Sequence, residues 1–388
     1  MKLFGRQGKV FAAVVGLILF TVLFAACGSA NTGSSGGSSG TPSTSNANGG
    51  KGCKKVGVLL PETATSARWD GYDRPLLTQD IPQQLSGAHV DYNNAQGDAN
   101  LQQTQAQADL TNGDCILVVA SSDSVKAAAI VSLAKTKGVP VIAYDRLIYS
   151  NDLNYYVSFD NVKVGQLQGQ YIASHYQSYV HGNNKNVVMI DGAQTDNNAL
   201  LFKQGAHSAL DPLFSSGALK KVYEQFTPNW DNPTAETEMQ AALTANQDNV
   251  QIAYVANDGM ATTVIAALKQ HHLNGKVLVT GQDATVAGIQ NILTGDQSMT
   301  VYKAITKEAG ATAQLVAAIS NGTGTSSIIN GQTTVPITSG ASIPSVLETP
   351  VAVDKSNIAQ TVLADNFVTK AQICANIPAG VNTGGICP

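Results

Sequence analysis

"VPVIAYDRLI", residues 139 to 148, decides the reading of this chain. Its apolar run describes a strand buried inside a sheet, and it ends with a carboxylate beside a guanidinium, Asp145 and Arg146. Taken alone, that ending fits a solvated ion pair in a turn equally well. The other strand ends separate the two readings.

Outward from this strand, short apolar runs alternate with amphipathic stretches, the pattern of parallel α/β sheets with crossover helices. Strands are expected at 54–60, 89–94, 115–121 and 139–145, with helices near 70–86, 100–111 and 123–137. A second series has strands near 186–191, 220–226, 251–256 and 277–282 and helices near 163–180, 198–216, 234–246 and 260–272. The expected fold is α/β, with two similar doubly wound parallel-sheet lobes joined by a multi-strand hinge. "YYVSFDNVKVG" (155–165) is the expected first crossover, and "MTVYKAITKEAGATAQLVAAISNG" (299–322) supplies a further strand and helix. The expected first lobe is 53–160 plus about 304–332; the second is 161–303 plus about 333–365, including a hinge return, and 366–388 is a tail. A chain of 388 residues exceeds what one core serves, and 43% apolar residues suffice for two. A net charge of −4 offers nucleic acid no basic surface.

The beginning of the chain is a targeting segment. Lys2, Arg6 and Lys9 precede "VFAAVVGLILFTVLFAA" (10–26), and small residues Ala25 and Ala26 precede Cys27, as in an export signal. Small residues before a cysteine resemble the lipobox of bacterial lipoproteins, although Phe24 is bulkier than usual at its position. Cys27 is therefore the expected lipidation site, anchoring the chain to the outer face of the cytoplasmic membrane. Residues 28–52, rich in Gly and Ser, read as a flexible tether.

Four cysteines remain in an oxidising compartment, allowing three pairings. Cys53 and Cys115 open two strands that come within bridging distance if they are parallel neighbours. Cys374 and Cys387 enclose "ANIPAGVNTGGI" (375–386), a loop suited to a staple. With no CxxC and no histidine at ligand spacing from a cysteine, no metal site and no cofactor are expected.

In doubly wound sheets, ligands bind outside the carboxyl ends of the strands. Those ends read "ARWDGYDR" (67–74), "YDR" (144–146), "DGAQTDNNA" (191–199), "PNWDN" (228–232), "VANDG" (255–259), "TGQDA" (280–284) and "VYK" (301–303), without a phosphate-cradling glycine loop. Singly, Asp196, Asn257 and Asp283 are ordinary helix caps or turn formers, Arg68 and Lys303 ordinary surface cations, and Trp69 and Trp230 ordinary core. Together, they suit a small polyol. Carboxylates accept from hydroxyls, cations and amides donate to oxygens, and indoles cover an apolar ring face.

These motifs, with "YYVSFDNVKVGQLQ", "DNNALLFKQG", "ALTAN", "TGQDATVAGIQ" and "MTVYKAIT", resemble the D-xylose-binding proteins of bacterial ABC sugar importers, within the ribose/galactose-type periplasmic binding family, from about 54 to 365. The resemblance implies a type I periplasmic binding fold and hinge closure on a monosaccharide. It implies sugar contacts from Arg68, Trp69, Asp145, Arg146, Asp196, Asn198, Trp230, Asn257, Asp283 and Lys303. It also implies a membrane permease as partner and a monomeric protein. Ala67 in place of an acidic residue, Phe226 where a tryptophan would be usual, and the cysteine-bearing tail depart from the pattern.

Other classes compete. A glycosidase or isomerase would use paired carboxylates, but the resemblance puts them all in a hydrogen-bonding set, with no nucleophile. A sugar-responsive repressor would need a DNA-binding segment where the signal and tether stand. A sugar sensor for a receptor kinase would keep the same site.

Overall fold

The computed structural model describes residues 49–337 and 339–388, so the expected export signal, Cys27 and the expected tether through residue 48 lie outside the described residues. Gly49 to Gly52 form a turn on the folded body, where the Gly52 N–H donates to the Ser320 carbonyl at 2.7 Å. The expected tether boundary at residue 52 therefore moves back at least to Gly49.

The chain first builds β1 (Lys55–Leu60), β2 (His89–Asn94), β3 (Ile116–Val119), β4 (Val141–Tyr144) and β5 (Tyr155–Phe159), with α1 (Arg74–Gln84), α2 (Ala99–Asn112) and α3 (Ala128–Thr136) as crossovers. These strands are parallel, in the order β5-β4-β3-β1-β2. β3 and β4 are buried throughout, as unbroken aliphatic runs must be when both faces are covered. β1 and β3 are neighbours, with Val56 opposite Ile116. Cys53 and Cys115 consequently meet and are bonded, with Cα atoms 5.5 Å apart.

The second lobe has β6 (Asn186–Asp191), β7 (Lys220–Phe226), β8 (Ile252–Val255) and β9 (Leu278–Val279), parallel in the order β7-β6-β8-β9. Its helices are α4 (Asn161–His175), α5 (Asn197–Ser215), α6 (Asn232–Ala245), α7 (Asp258–Gln270) and α8 (Val286–Thr294). α4 and α5 approach closely because Gly165 and Gly205 carry no side chain. A Cβ at Gly165 would lie 1.8 Å from the Phe202 carbonyl oxygen, and one at Gly205 would lie 2.0 Å from that of Val162.

After β10 (Thr300–Tyr302) the chain returns to the first lobe as α9 (Ile305–Asn321), followed by β11 (Gly331–Thr334) and β12 (Ser342–Glu348). β12 pairs in parallel with β5 and β11 pairs antiparallel with β12, making the first sheet seven-stranded. This corrects the expected assignment of 333–365 to the second lobe. Through Glu348 the segment belongs to the first sheet, because β12 covers the otherwise open edge of β5. From Val351 the chain crosses back as expected: β13 (Val351–Val353) pairs antiparallel with β10, and Ile358 and Val362 pack with Ile289 and Leu293 of α8. The lobes thus share a grammar but differ in size. The tail contains α10 (Lys370–Cys374), capped reciprocally by Thr369 and Gln372, and Cys374 is bonded to Cys387.

On the second lobe, His207 lies 2.6 Å from Glu224 Oε1 and 2.7 Å from Asp211 Oδ1. Glu224, then Asp211, outweigh partial burial and raise its pKa above the usual histidine value. A histidine charged more readily when folded stabilises fully below its unfolded pKa of about 6.5, and that contribution is lost as pH rises through the higher folded value. The expected result is that the melting temperature of the native protein, relative to His207→Gln, declines as pH rises from about 6 to 8. Parallel curves would remove His207 from this role.

Candidate functional site

The strand carrying the opening motif ends in a tight turn. Asp145 takes a left-handed conformation (φ 58°) while its N–H donates to Val157, and Arg146 N–H reaches back to the Tyr144 carbonyl at 2.6 Å. This turn sends the two side chains to different partners. Asp145 Oδ2 accepts from Arg68 Nη1 at 2.6 Å and Lys303 Nζ at 3.2 Å, and its Oδ1 accepts from Asn198 Nδ2 at 3.0 Å. Arg146 Nε lies 2.9 Å from Asp196 Oδ2. Asn198 and Asp196 belong to the second lobe, so each half of the Asp145–Arg146 pair makes a bond across the cleft.

Behind this pair is a buried ionic cluster. Arg68 spends three further donor contacts on Asp73 Oδ2 at 2.9 Å, Asp73 Oδ1 at 2.7 Å and Glu308 Oε2 at 2.9 Å. Tyr144 donates to Asp73 at 2.6 Å. Burial opposes ionisation of Asp145, but the Arg68 guanidinium, then Lys303 and Arg146, hold its carboxyl well below the usual range. Glu308 goes the other way, since burial and the Asp145 charge push its carboxyl well above the usual range.

On the second-lobe side, Asp196 caps α5 by accepting from the Asn198 N–H at 2.9 Å, and it also accepts from Trp230 Nε1 at 3.1 Å. Trp230 follows Asn229 in a turn where both residues are left-handed (φ 55° and 58°), a conformation disfavoured for bulky side chains and held by the surrounding contacts. The ring lies over Gly192, where a Cβ would come within 2.1 Å of it. The edge of Phe202 meets the same ring, with centroids 6.3 Å apart. Asn257 caps α7 through Oδ1 at 2.9 Å from the Met260 N–H. Asp283, at φ 98°, places Oδ1 3.6 Å from Lys303 Nζ. Beneath them, Asp258 ties the loops together by accepting from Gln297 and Thr300 (2.8 Å each) and from the Thr285 N–H (2.8 Å); burial pushes its carboxyl up to about 7.

Arg68, Trp69, Asp145, Arg146, Asp196, Asn198, Trp230, Asn257, Asp283 and Lys303 all line one cavity between the lobes. Thr65, Ser66, Phe202 and Gln282 line it too and were not singled out in the sequence. Phe202 stands one helical turn after Asn198, a spacing that puts both on one face of α5. Gln282 and Ser66 sit beside or near residues that were named, but neither carries a distinguishing signal of its own. Ala67 is exposed and Phe226 lies under Lys203, 4.8 Å from ring centroid to Nζ, so neither departure from the family pattern lines the cavity. Trp69 is flanked by the guanidinium carbons of Arg68 and Arg146, 4.5 and 5.1 Å from its ring centroid, so part of its aromatic surface serves the protein's own cations.

Five polar atoms of the lining residues are buried without a hydrogen-bond partner: Thr65 Oγ1, Ser66 Oγ, Trp69 Nε1, Gln282 Oε1 and Asp283 Oδ1. Buried polar groups are nearly always bonded, so a concentration of unsatisfied ones around one cavity marks a place built for a polar ligand.

A family model described as "Periplasmic binding protein domain" matches residues 83–324. This chain belongs to the periplasmic binding protein family. It is 39% identical over 320 residues to the D-xylose-binding periplasmic protein of Haemophilus influenzae, covering 82% of this chain and 92% of that one. With the D-xylose-binding periplasmic protein of Escherichia coli K12 the identity is 35%, with the same coverage of both chains. Among solved structures, a carbohydrate transporter solute-binding protein from Chloroflexus aurantiacus in complex with D-glucose superposes with a TM-score of 0.71 at 27% identity, covering 83% of this chain and 98% of that one. The two-lobed α/β architecture is the one shared by this family.

Proposed function

We propose that this periplasmic binding protein captures an aldose monosaccharide, D-xylose first, by closing its lobes around it, and delivers it outside the cytoplasm to an ABC-type importer. The unsatisfied buried donors and acceptors around the cavity carry this reading, because a sugar ring offers them hydroxyls that both donate and accept. Asp283, Lys303, Asn257 and the remaining Nη1 N–H of Arg68 would bind hydroxyls, with Trp230 and Phe202 against the apolar ring face. The D-xylose-binding relatives support xylose over other aldoses.

Closure follows from where the partners sit. Asp145 and Arg146 come from one lobe, Asp196, Asn198 and Trp230 from the other, so only the closed form satisfies both halves. In this reading Cys27 carries the lipid, residues 28–48 form the tether, and the protein works as a monomer beside its permease.

The direct test is a melting screen of residues 49–388 against pentoses and hexoses, followed by xylose calorimetry. A specific ligand at about 100 times its Kd stabilises by about 2.7 kcal/mol. Xylose is expected to raise the melting temperature by several degrees and to change tryptophan fluorescence, since Trp69 and Trp230 are the only tryptophans and both line the cavity. No shift and no heat with any aldose would overturn the proposal.

A further inference from the structure

We propose that the disulfide-closed C-terminal segment, residues 366–388, is a brace that sets how the two cavity walls meet, and that Phe367 is a positioning residue for the ligand. The inference rests on reading the cavity as a monosaccharide site. Phe367 stacks on Tyr72 with centroids 4.4 Å apart and planes at 19°, and its other neighbour is Tyr302 at 4.9 Å. Tyr72 lies in the π-helical turn Trp69–Asp73 that also carries Trp69, and Tyr302 directly precedes Lys303. One ring outside the cavity therefore touches Tyr72, in the same helical turn as the lining residue Trp69, and Tyr302, directly before the lining residue Lys303.

The attachment is unequal. Gln290 Nε2 on α8 donates to the Gln372 and Ala375 carbonyls at 2.9 and 2.8 Å, and Ile373 packs in one apolar cluster with Ile289 and Leu293. The Tyr302 hydroxyl donates to Asp365 at 3.1 Å, and the Cys374–Cys387 bond closes the loop that follows α10. From the first lobe Tyr72, Leu76 and Ile305, at the start of α9, enter this cluster. The segment is thus hydrogen-bonded to the second lobe and meets the first through a smaller apolar contact, in which the Tyr72–Phe367 stack is the aromatic part. It also lies beyond residue 324, where the family match ends.

The test compares the native protein, Phe367→Ala, Phe367→Tyr and a Cys374→Ser/Cys387→Ser double variant by xylose calorimetry, stopped-flow dissociation and small-angle scattering without sugar. Phe367→Ala and the double variant are expected to bind about tenfold more weakly, as a coupling of this kind gives. The loss should appear as faster dissociation, with an expanded sugar-free form, and Phe367→Tyr should restore both. If Phe367→Ala does not fold, Tyr72→Leu probes the same contact from the first lobe. Affinity in Phe367→Ala equal to native would overturn the brace. Should the native protein bind no aldose, the functional proposal fails, and the brace is then judged by scattering alone, where an unexpanded Phe367→Ala rejects it.

Discussion

Asp145→Ala weakens xylose binding by about 2 to 5 kcal/mol, roughly 30-fold to several thousandfold, and lowers the melting temperature of the sugar-free protein as well. Both effects follow from what its carboxylate holds. Arg68 and Lys303, each nearly inaccessible to solvent, converge on Oδ2, while Asn198 bonds Oδ1 from the other lobe. Removing the carboxylate leaves two buried cations short of a counter-charge, and breaking a buried pair in this way costs on the order of 3 to 5 kcal/mol. Alanine adds a smaller strain, because the left-handed backbone at this position suits Asp or Asn far better. Asp145→Asn separates the two terms, keeping the turn and the shape but losing the charge. Its binding should remain strongly impaired while its stability recovers in part. Calorimetry and thermal melts on the three proteins give the answer. An Asp145→Ala affinity within a factor of about three of native would reject Asp145 as the organiser of the site.

The second large effect is expected at a residue without a side chain. Gly192→Ala would put a methyl group 2.1 to 2.4 Å from three ring carbons of Trp230. The ring cannot slide away cheaply, because its Nε1 is bonded to Asp196, Phe202 meets it from another side, and its backbone already sits in a left-handed turn. Overpacking of this sort costs about 1 to 3 kcal/mol, and displacing the aromatic anchor of a ligand site costs about 2 kcal/mol or more in binding. Xylose affinity should fall at least about thirtyfold, and the sugar-induced change in tryptophan fluorescence should shrink with it. Gly192→Ala binding at native strength, with native fluorescence, would show that Trp230 does not need that close approach.

The two variants also separate their causes. Asp145→Ala acts on charge, so added salt, which screens exposed charges but not buried ones, should leave its defect unchanged. Gly192→Ala acts on shape, and a smaller ring at position 230, Trp230→Phe, should relieve part of its instability without restoring binding.

The sequence by itself determined the alternation of strands and helices, the parallel order implied by it, and the clustering of polar residues at strand ends. The reason is periodicity. A strand such as "VVMID" within β6 has to be buried on both faces, and the loop after it has to lie at the sheet edge where ligands bind. The pairing of Cys53 with Cys115 was one of three open to the sequence, conditional on their strands being parallel neighbours, and the β1–β3 pairing meets that condition. Even the separate fates of Asp145 and Arg146 begin in sequence, as adjacent residues at a strand end diverge when the backbone turns.

Only the tertiary structure decided which contacts those residues make. Nothing local in "SIPSVLE" says that β12 completes the first sheet beside β5, with Ser345 opposite Tyr156, because edge pairing is settled by which strand lacks a neighbour. Nothing in "ITKEAG" says that Glu308 faces Arg68 across 240 residues of sequence, or that Asp73 takes the other side of the same guanidinium. Buried charge is stabilised by partners brought together from distant segments, and their distances exist only once the chain has folded. The same holds for Phe202, Gln282 and the aromatic contacts of Phe367: residue type and spacing mark an element's face, but what that face meets is determined by how the lobes pack.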